Sequence, residues 1–411
     1  MNFRNRISAF CLVVSSLFVM SSYAQSIGSI SVTLKGEVKD RPQSSLLILV
    51  KQGEDLRINA VHIPINDGKF EYILNCEHEE QYDFVFQDEF EKGMWRPVSF
   101  FSEQGVINFT LHPTNQFDKN IVEGGKVNRE FWDYYSKILN AGNAVMNAYN
   151  AYLVENYSKA LKKHGALEKD FNEKLKLLNQ DGIDVSQALR AISESTSQEM
   201  SRWQLQFIKE NPNIVGYSVL LSNTSNLVQR NQVFQETNDI SSYVDLYQTI
   251  FAPKFPNHPY TERMQNLFAG SSIQAGVPFV DFTAVDLNGE PIRLSERISG
   301  KPALLHLWAS WCGPCRRHGI ALIPVYEEFR EKGFVVIGVA REKSISTAEA
   351  AIKLDKYPWE NLVELNDVEQ IWVKYGIGNA GGGVYLIDKE GNIVAVAPSI
   401  EEIRDFLINN L

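Results

Sequence analysis

Trp308-Ala309-Ser310-Trp311-Cys312-Gly313-Pro314-Cys315 follows a mostly apolar run, Pro302-Ala303-Leu304-Leu305-His306-Leu307, and precedes a helical pattern set by Ile320, Ile323, Val325, Tyr326 and Phe329. That order predicts strand, tight turn, helix, with Cys312 at the exposed start of the helix. A thiol there faces unpaired backbone N–H groups and the positive end of the helix dipole, which favour its thiolate. The thiolate is the nucleophilic form, so the placement makes a reactive cysteine. Cys315 lies one turn further on, close enough to attack a mixed disulfide formed on Cys312.

Two plainer readings compete. A structural zinc site takes four ligands, normally from two such pairs, and the chain has no second C-x-x-C. An inert structural disulfide requires neither a helix start nor a flanking Trp. Redox chemistry accounts for all three features at once.

At 411 residues the chain is expected to hold two or three domains. Its 44% hydrophobic and 11% aromatic content fits a folded globular protein. The net charge of −10 argues against nucleic acid or an anionic membrane as the main partner, because phosphate binding needs concentrated Lys and Arg. Arg4 and Arg6, an apolar run over 7–20 and Ser22-Tyr23-Ala24 predict a secretory signal cleaved after Ala24. The run is short for a membrane span, and an uncleaved signal anchor is the alternative. Cys11 would leave with the signal. The remaining cysteines, Cys76, Cys312 and Cys315, are too few for a disulfide scaffold, and Cys76 beside Tyr72-Ile73-Leu74 is expected to be a buried thiol.

Between 29 and 111 the pattern is β. Ile30, Val32 and Leu34 alternate with polar residues; strands follow at 46–50 and 61–65, and Asp67-Gly68 predicts a hairpin into 70–74. Further short strands at 82–86, 98–101 and 106–111 predict a small antiparallel sandwich or barrel with an aromatic core. From 126 to 268 the period is helical, carried first by Phe131, Tyr134, Tyr135, Ile138 and Leu139 and ending near a Gly270-Ser271-Ser272 linker. From 277 to 411 strands and helices alternate, as in an α/β sheet: a hairpin at Asn288-Gly289, core strands at 304–309 and 335–340, a helix over 367–375, a closing hairpin and a last helix from 400. The boundaries are therefore 1–24 signal, 25–115 β-rich, 116–270 helical and 271–411 α/β.

Residues 277–411 resemble the thioredoxin superfamily, in its exported TlpA-like and ResA-like (AhpC/TSA-like) branch. The resemblance is carried by the Trp308 to Cys315 motif, by Tyr375-Gly376-Ile377, and by Val384-Tyr385-Leu386-Ile387-Asp388-Lys389-Glu390-Gly391. It implies a thioredoxin-like α/β C-terminal domain, preceded by a β-sandwich-like N-terminal domain and an α-helical middle domain. The latter two are similar to uncharacterised regions of such proteins in Bacteroidetes. The resemblance further implies Cys312 as attacking thiol, Cys315 as resolving thiol, and Trp311, Gly313 and Pro314 as residues shaping the site. Peroxidase chemistry is disfavoured, since the Thr-x-x-Cys setting of a lone peroxidatic cysteine is absent.

Three positions depart from the family pattern. His306 replaces the buried acid or amide six residues before the first Cys, and His318 replaces the Glu three residues after the second. Gly382 stands where a cis-proline is expected. A protonated His beside the pair would favour thiolate and make the couple more oxidising; a neutral His306 bonded within the core is the other reading. Two thiolates with His306 or His318 form a remote candidate metal site, and none is assigned. The expected function is an exported, periplasmic or membrane-anchored thiol–disulfide oxidoreductase without organic cofactor, exchanging disulfides with protein thiols and served by a redox donor or acceptor of the cell envelope. The alternative is a binding or scaffold protein with a weakly active or metal-binding thioredoxin-like module. The sequence sets no oligomeric state.

Overall fold

A computed structural model of the chain describes residues 30–379 and 381–411. The predicted signal, its cleavage after Ala24 and Cys11 lie outside the described residues.

The strand-rich region builds two four-stranded sheets from β1 (Ile30–Val38), β2 (Leu46–Lys51), β3 (Val61–Pro64), β4 (Lys69–Cys76), β5 (Gln81–Phe86), β6 (Val98–Phe101), β7 (Gly105–Leu111) and β8 (Ile121–Glu123). One sheet has the order β4-β1-β7-β8 and the other β3-β2-β5-β6. Val32, Leu34, Leu47, Leu49, Phe84, Phe100 and Phe109 alternate inward and fill the space between them. The expected wholly antiparallel pairing is wrong at one seam, because β1 and β7 run parallel, from Val32↔Gly105 to Val38↔Leu111. The chain passes through the second sheet between these strands, so it returns in the same direction. Asp67 and Gly68 take positive φ values of 50° and 69°, the turn that the Asp-Gly pair demands. Its flanking strands nevertheless part into different sheets, so the turn makes a corner and not a simple hairpin.

The helical region begins with a 38-residue helix, Lys126–Lys163, and continues through Phe171–Gln180, Ser186–Glu210, Ile214–Phe234 and Pro259–Ser271. The last of these carries Gly270 into the C-terminal region instead of ending in a linker. A Cβ at Gly270 would lie 2.5 Å from the Val373 carbonyl oxygen, a close approach that only glycine allows.

The C-terminal region forms a seven-stranded sheet in the order β10-β9-β13-β12-β11-β14-β15. Its strands are β9 (Thr283–Val285), β10 (Pro291–Arg293), β11 (Ala303–Trp308), β12 (Val335–Glu342), β13 (Glu360–Leu365), β14 (Gly383–Ile387) and β15 (Ile393–Val396). β11, β12 and β13 are parallel, and β14 runs antiparallel against β11. Side chains of β11 alternate between two cores. Leu305 and Leu307 join Ile337, Trp372 and Tyr385, whereas Leu304 and Trp308 meet Leu322, Val325 and Phe329 of the Gly313–Phe329 helix. The helix expected over 367–375 is a single turn, Ile371–Lys374; Asn366, Asp367 and Gln370 hold left-handed φ values of 52–55°. Asp367 is drawn out of helical geometry while its carboxylate pairs with the buried Arg341.

The three regions share packing. Phe101 of β6 and Val373 of the C-terminal region both lie in the core of the helical region. Polar contacts join them too: Gln52 Nε2 donates to the Ser218 carbonyl at 3.1 Å, and the Gln81 amide donates to the Tyr260 hydroxyl at 2.7 Å.

Candidate active site

β11 ends at Trp308, and Cys312 caps the helix that follows. The Cys315 amide donates to the Cys312 sulfur at 3.3 Å, so the helix start presents an N–H to that sulfur as expected from the spacing. Pro314 sits in the first turn, where a missing N–H removes no helical bond. Cys312 and Cys315 are joined as a disulfide with their Cα atoms 5.3 Å apart. Cys76 is the one free cysteine among the described residues; it is buried, and burial pushes its thiol up from the ordinary value, away from reactivity.

Exposure departs from expectation. Cys312 is only 6% exposed and belongs to the core that includes Trp372 and Ile377, while Cys315 is half-buried. Both line a cavity of about 510 Å³, together with Trp311, Gly313, Pro314, His306, His318 and the Gly381-Gly382-Gly383 loop. Gly382 opens the side of Cys315. A Cβ at 382 would lie 2.7 Å from the Cys315 sulfur and 2.0 Å from the Leu307 carbonyl oxygen, so the space excludes any side chain. The Gly382 amide instead donates to the Cys315 sulfur at 3.2 Å, a bond that proline cannot make.

His306 is fully buried on β11, with its ring 5.9 Å from that of His318 and 6.2 Å from Tyr357. Burial, then the neighbouring His318, push its pKa down to about 3, and burial also lowers that of His318. Both are neutral at pH 7 beside the bridged pair. In this disulfide form His306 is a buried neutral ring that lies beside the Cys315 backbone, with neither nitrogen meeting a partner in hydrogen-bond geometry. His318 borders the cavity instead of standing on the open surface. No group of three or more His, Cys, Asp or Glu able to hold a metal ion occurs among the described residues.

One contributor carries no motif. Arg57, from the turn after β2 in the strand-rich region, lines the same cavity and places its guanidinium 3.4 Å from the centre of the Trp311 ring. A larger groove of about 690 Å³ crosses the strand-rich region at Lys35, Glu37, Lys69, Glu71 and Phe109, and its lining includes no cysteine, hydroxyl or histidine side chain.

Residues 275–396 match the AhpC/TSA family, and residues 32–131 match a domain of unknown function, DUF4369. The thiol-disulfide oxidoreductase ResA of Halalkalibacterium halodurans is 31% identical over 132 residues, which span 32% of this chain and 73% of that protein. The chain belongs to the ResA-like thiol-disulfide oxidoreductases. ResA of Bacillus anthracis is 29% identical over 133 residues, 32% of this chain and 73% of the relative. Among solved structures, the thioredoxin domain of a thiol-disulfide oxidoreductase from Bacteroides vulgatus is 27% identical, covering 34% of this chain and 98% of that one with a TM-score of 0.31. A solution structure of a thiol:disulfide interchange protein from Bacteroides sp. is likewise 27% identical, covering 34% and 90% with a TM-score of 0.31. Family membership rests on the C-terminal region, whereas Arg57 lies outside the AhpC/TSA match.

Proposed function

We propose that the chain is an exported enzyme that exchanges disulfides with protein partners of the cell envelope. The observation that carries this reading is a sulfur pair at a helix start, already bridged and bordering a cavity. In the reduced form, the Cys312 thiolate attacks one sulfur of a partner disulfide and expels the other as a thiolate, which takes up a proton. Cys315, having given up its proton, then attacks the Cys312 sulfur, breaks the mixed disulfide and releases the partner dithiol. Two electrons pass from the Cys312–Cys315 dithiol to the partner, and the reverse sequence oxidises a partner dithiol. The predicted signal over residues 1–24 supports the envelope as its place of work, and a donor or acceptor there would restore the starting state.

Insulin reduction and refolding of scrambled ribonuclease test the activity. Turnover that disappears in Cys312→Ser is expected; turnover that persists in that variant, or is absent from the wild type, contradicts the reading.

A further inference from the structure

Arg57 is the one charged side chain lining the sulfur cavity among the described residues; its other walls are sulfur, glycine, neutral histidine and apolar groups. It comes from a region that shares no strand with the C-terminal sheet. Its position is held from both sides. Nε donates to Asp55 Oδ1 at 2.8 Å and Nη2 to Asp55 Oδ2 at 2.6 Å, a two-pronged grip that fixes the plane of the guanidinium. Asp55, 2% exposed, also faces Arg341 Nη1 at 3.4 Å, and Arg341 donates to the Asn379 side chain and the Gly378 carbonyl in the loop leading to Gly382. The Asn379 amide group returns to the Gly53 and Glu54 carbonyls at 3.3 Å.

Exposure decides which charge an incoming chain meets. The Arg57 side chain is 34% exposed, against 2% for Asp55, 3% for Arg341 and 12% for Asp367. No hydrogen bond among the described residues uses Arg57 Nη1. Beside Gly313, the exposed Arg317 adds a second cation with no ion-pair partner among the described residues. The rim of the sulfur pair thus presents two guanidinium groups, Arg57 with its Nη1 edge left free by the Asp55 ion pair and Arg317 beside Gly313.

We propose that Arg57 is a specificity-determining residue through which the strand-rich region completes the substrate site, binding a carboxylate on the polypeptide that flanks the partner's cysteine. The preferred substrates are then acidic, extended segments. This rests on the disulfide-exchange reading above and names its substrate class.

The test uses the full chain, reduced and freed of reductant, in single-turnover reaction with two symmetrical peptide disulfides that differ only in Glu or Lys beside the cysteine. The wild type should reduce the Glu peptide roughly tenfold faster at low salt, the worth of about one partly exposed charge-assisted contact, and the gap should narrow as salt rises. Arg57→Glu should reverse the preference, and Arg57→Gln, free of new repulsion with Asp55, should erase it. Equal wild-type rates, or a ratio unchanged in both variants, overturn the assignment while leaving disulfide exchange standing. If neither peptide reacts in a Cys312-dependent way, the exchange reading fails and takes this one with it.

Discussion

Gly382 and His306 are two of the three residue-level departures from the family pattern, and the structure shows what surrounds each. Gly382 is required by space: its Cβ would press on the Leu307 carbonyl and the Cys315 sulfur. Gly382→Ala should cost about 1–3 kcal/mol, as overpacking does, read as a lower denaturation midpoint of the oxidised protein. His306 is protonated more readily in the unfolded chain, with its ordinary pKa of 6.5, than in the folded one, where it falls to about 3. The unfolded state then binds the extra proton between those values, so this side chain's contribution is full above pH 6.5 and is lost as pH falls toward 3. Wild type should lose up to about 1.4 kcal/mol per pH unit more than His306→Asn across that window, measured by urea unfolding at successive pH values. The replacement of a carboxylate by His was legible in the sequence. Its charge state was not, because that depends on burial contributed by Tyr357 and His318, neither of them near in sequence to His306.

At the scale of elements, the strand–turn–helix around the cysteines, the closing hairpin and the short strands of the first region were legible from periodicity and turn residues. β13 was not, since Glu360, Asn361 and Glu364 interrupt its apolar pattern. Those polar residues face partners elsewhere: Asn361 accepts from Trp308 Nε1 at 3.2 Å, and Glu364 accepts from the Ile371 amide at 2.7 Å. Glu364 thereby caps the short turn that stands where a longer helix was expected. Burial, then the nearby Asp367, push its pKa up to about 8, against the partial relief from Arg341. The folded state keeps this proton longer than the unfolded one, so the contribution is complete below pH 4.5 and lost as pH rises toward 8. Glu364→Gln should remove that decline, and thermal unfolding from pH 5 to 9 should show the variant gaining on the wild type as pH rises.

Across the whole molecule, the redox motif announces itself in sequence, while its surroundings depend on how three regions meet. The turn bearing Glu54-Asp55-Leu56-Arg57 has no periodicity or motif, and it reaches the sulfur cavity through contacts across the interface, Asp55 with Arg341, Arg57 with Trp311 and Asn379 with the Gly53 and Glu54 carbonyls. Arg341 is buried, pairs with Asp367 and Asp55, and lies over Trp372. Arg341→Met would leave Asp367 without its cation and Asp55 with Arg57 alone, and should cost ~3–5 kcal/mol. Limited proteolysis should then cut the 52–58 turn faster than in wild type, because its anchor to the C-terminal region is reduced to the Asn379 bonds and the Arg57–Trp311 contact. The central claim is that Cys312 takes the partner and Cys315 lets it go. Peptide mass spectrometry of adducts formed by Cys315→Ala and by Cys312→Ala with the same disulfide substrate tests it most directly: a stable mixed disulfide on Cys312 in the first variant and none on Cys315 in the second is the predicted result, and an adduct confined to Cys315, or none at all, would contradict it.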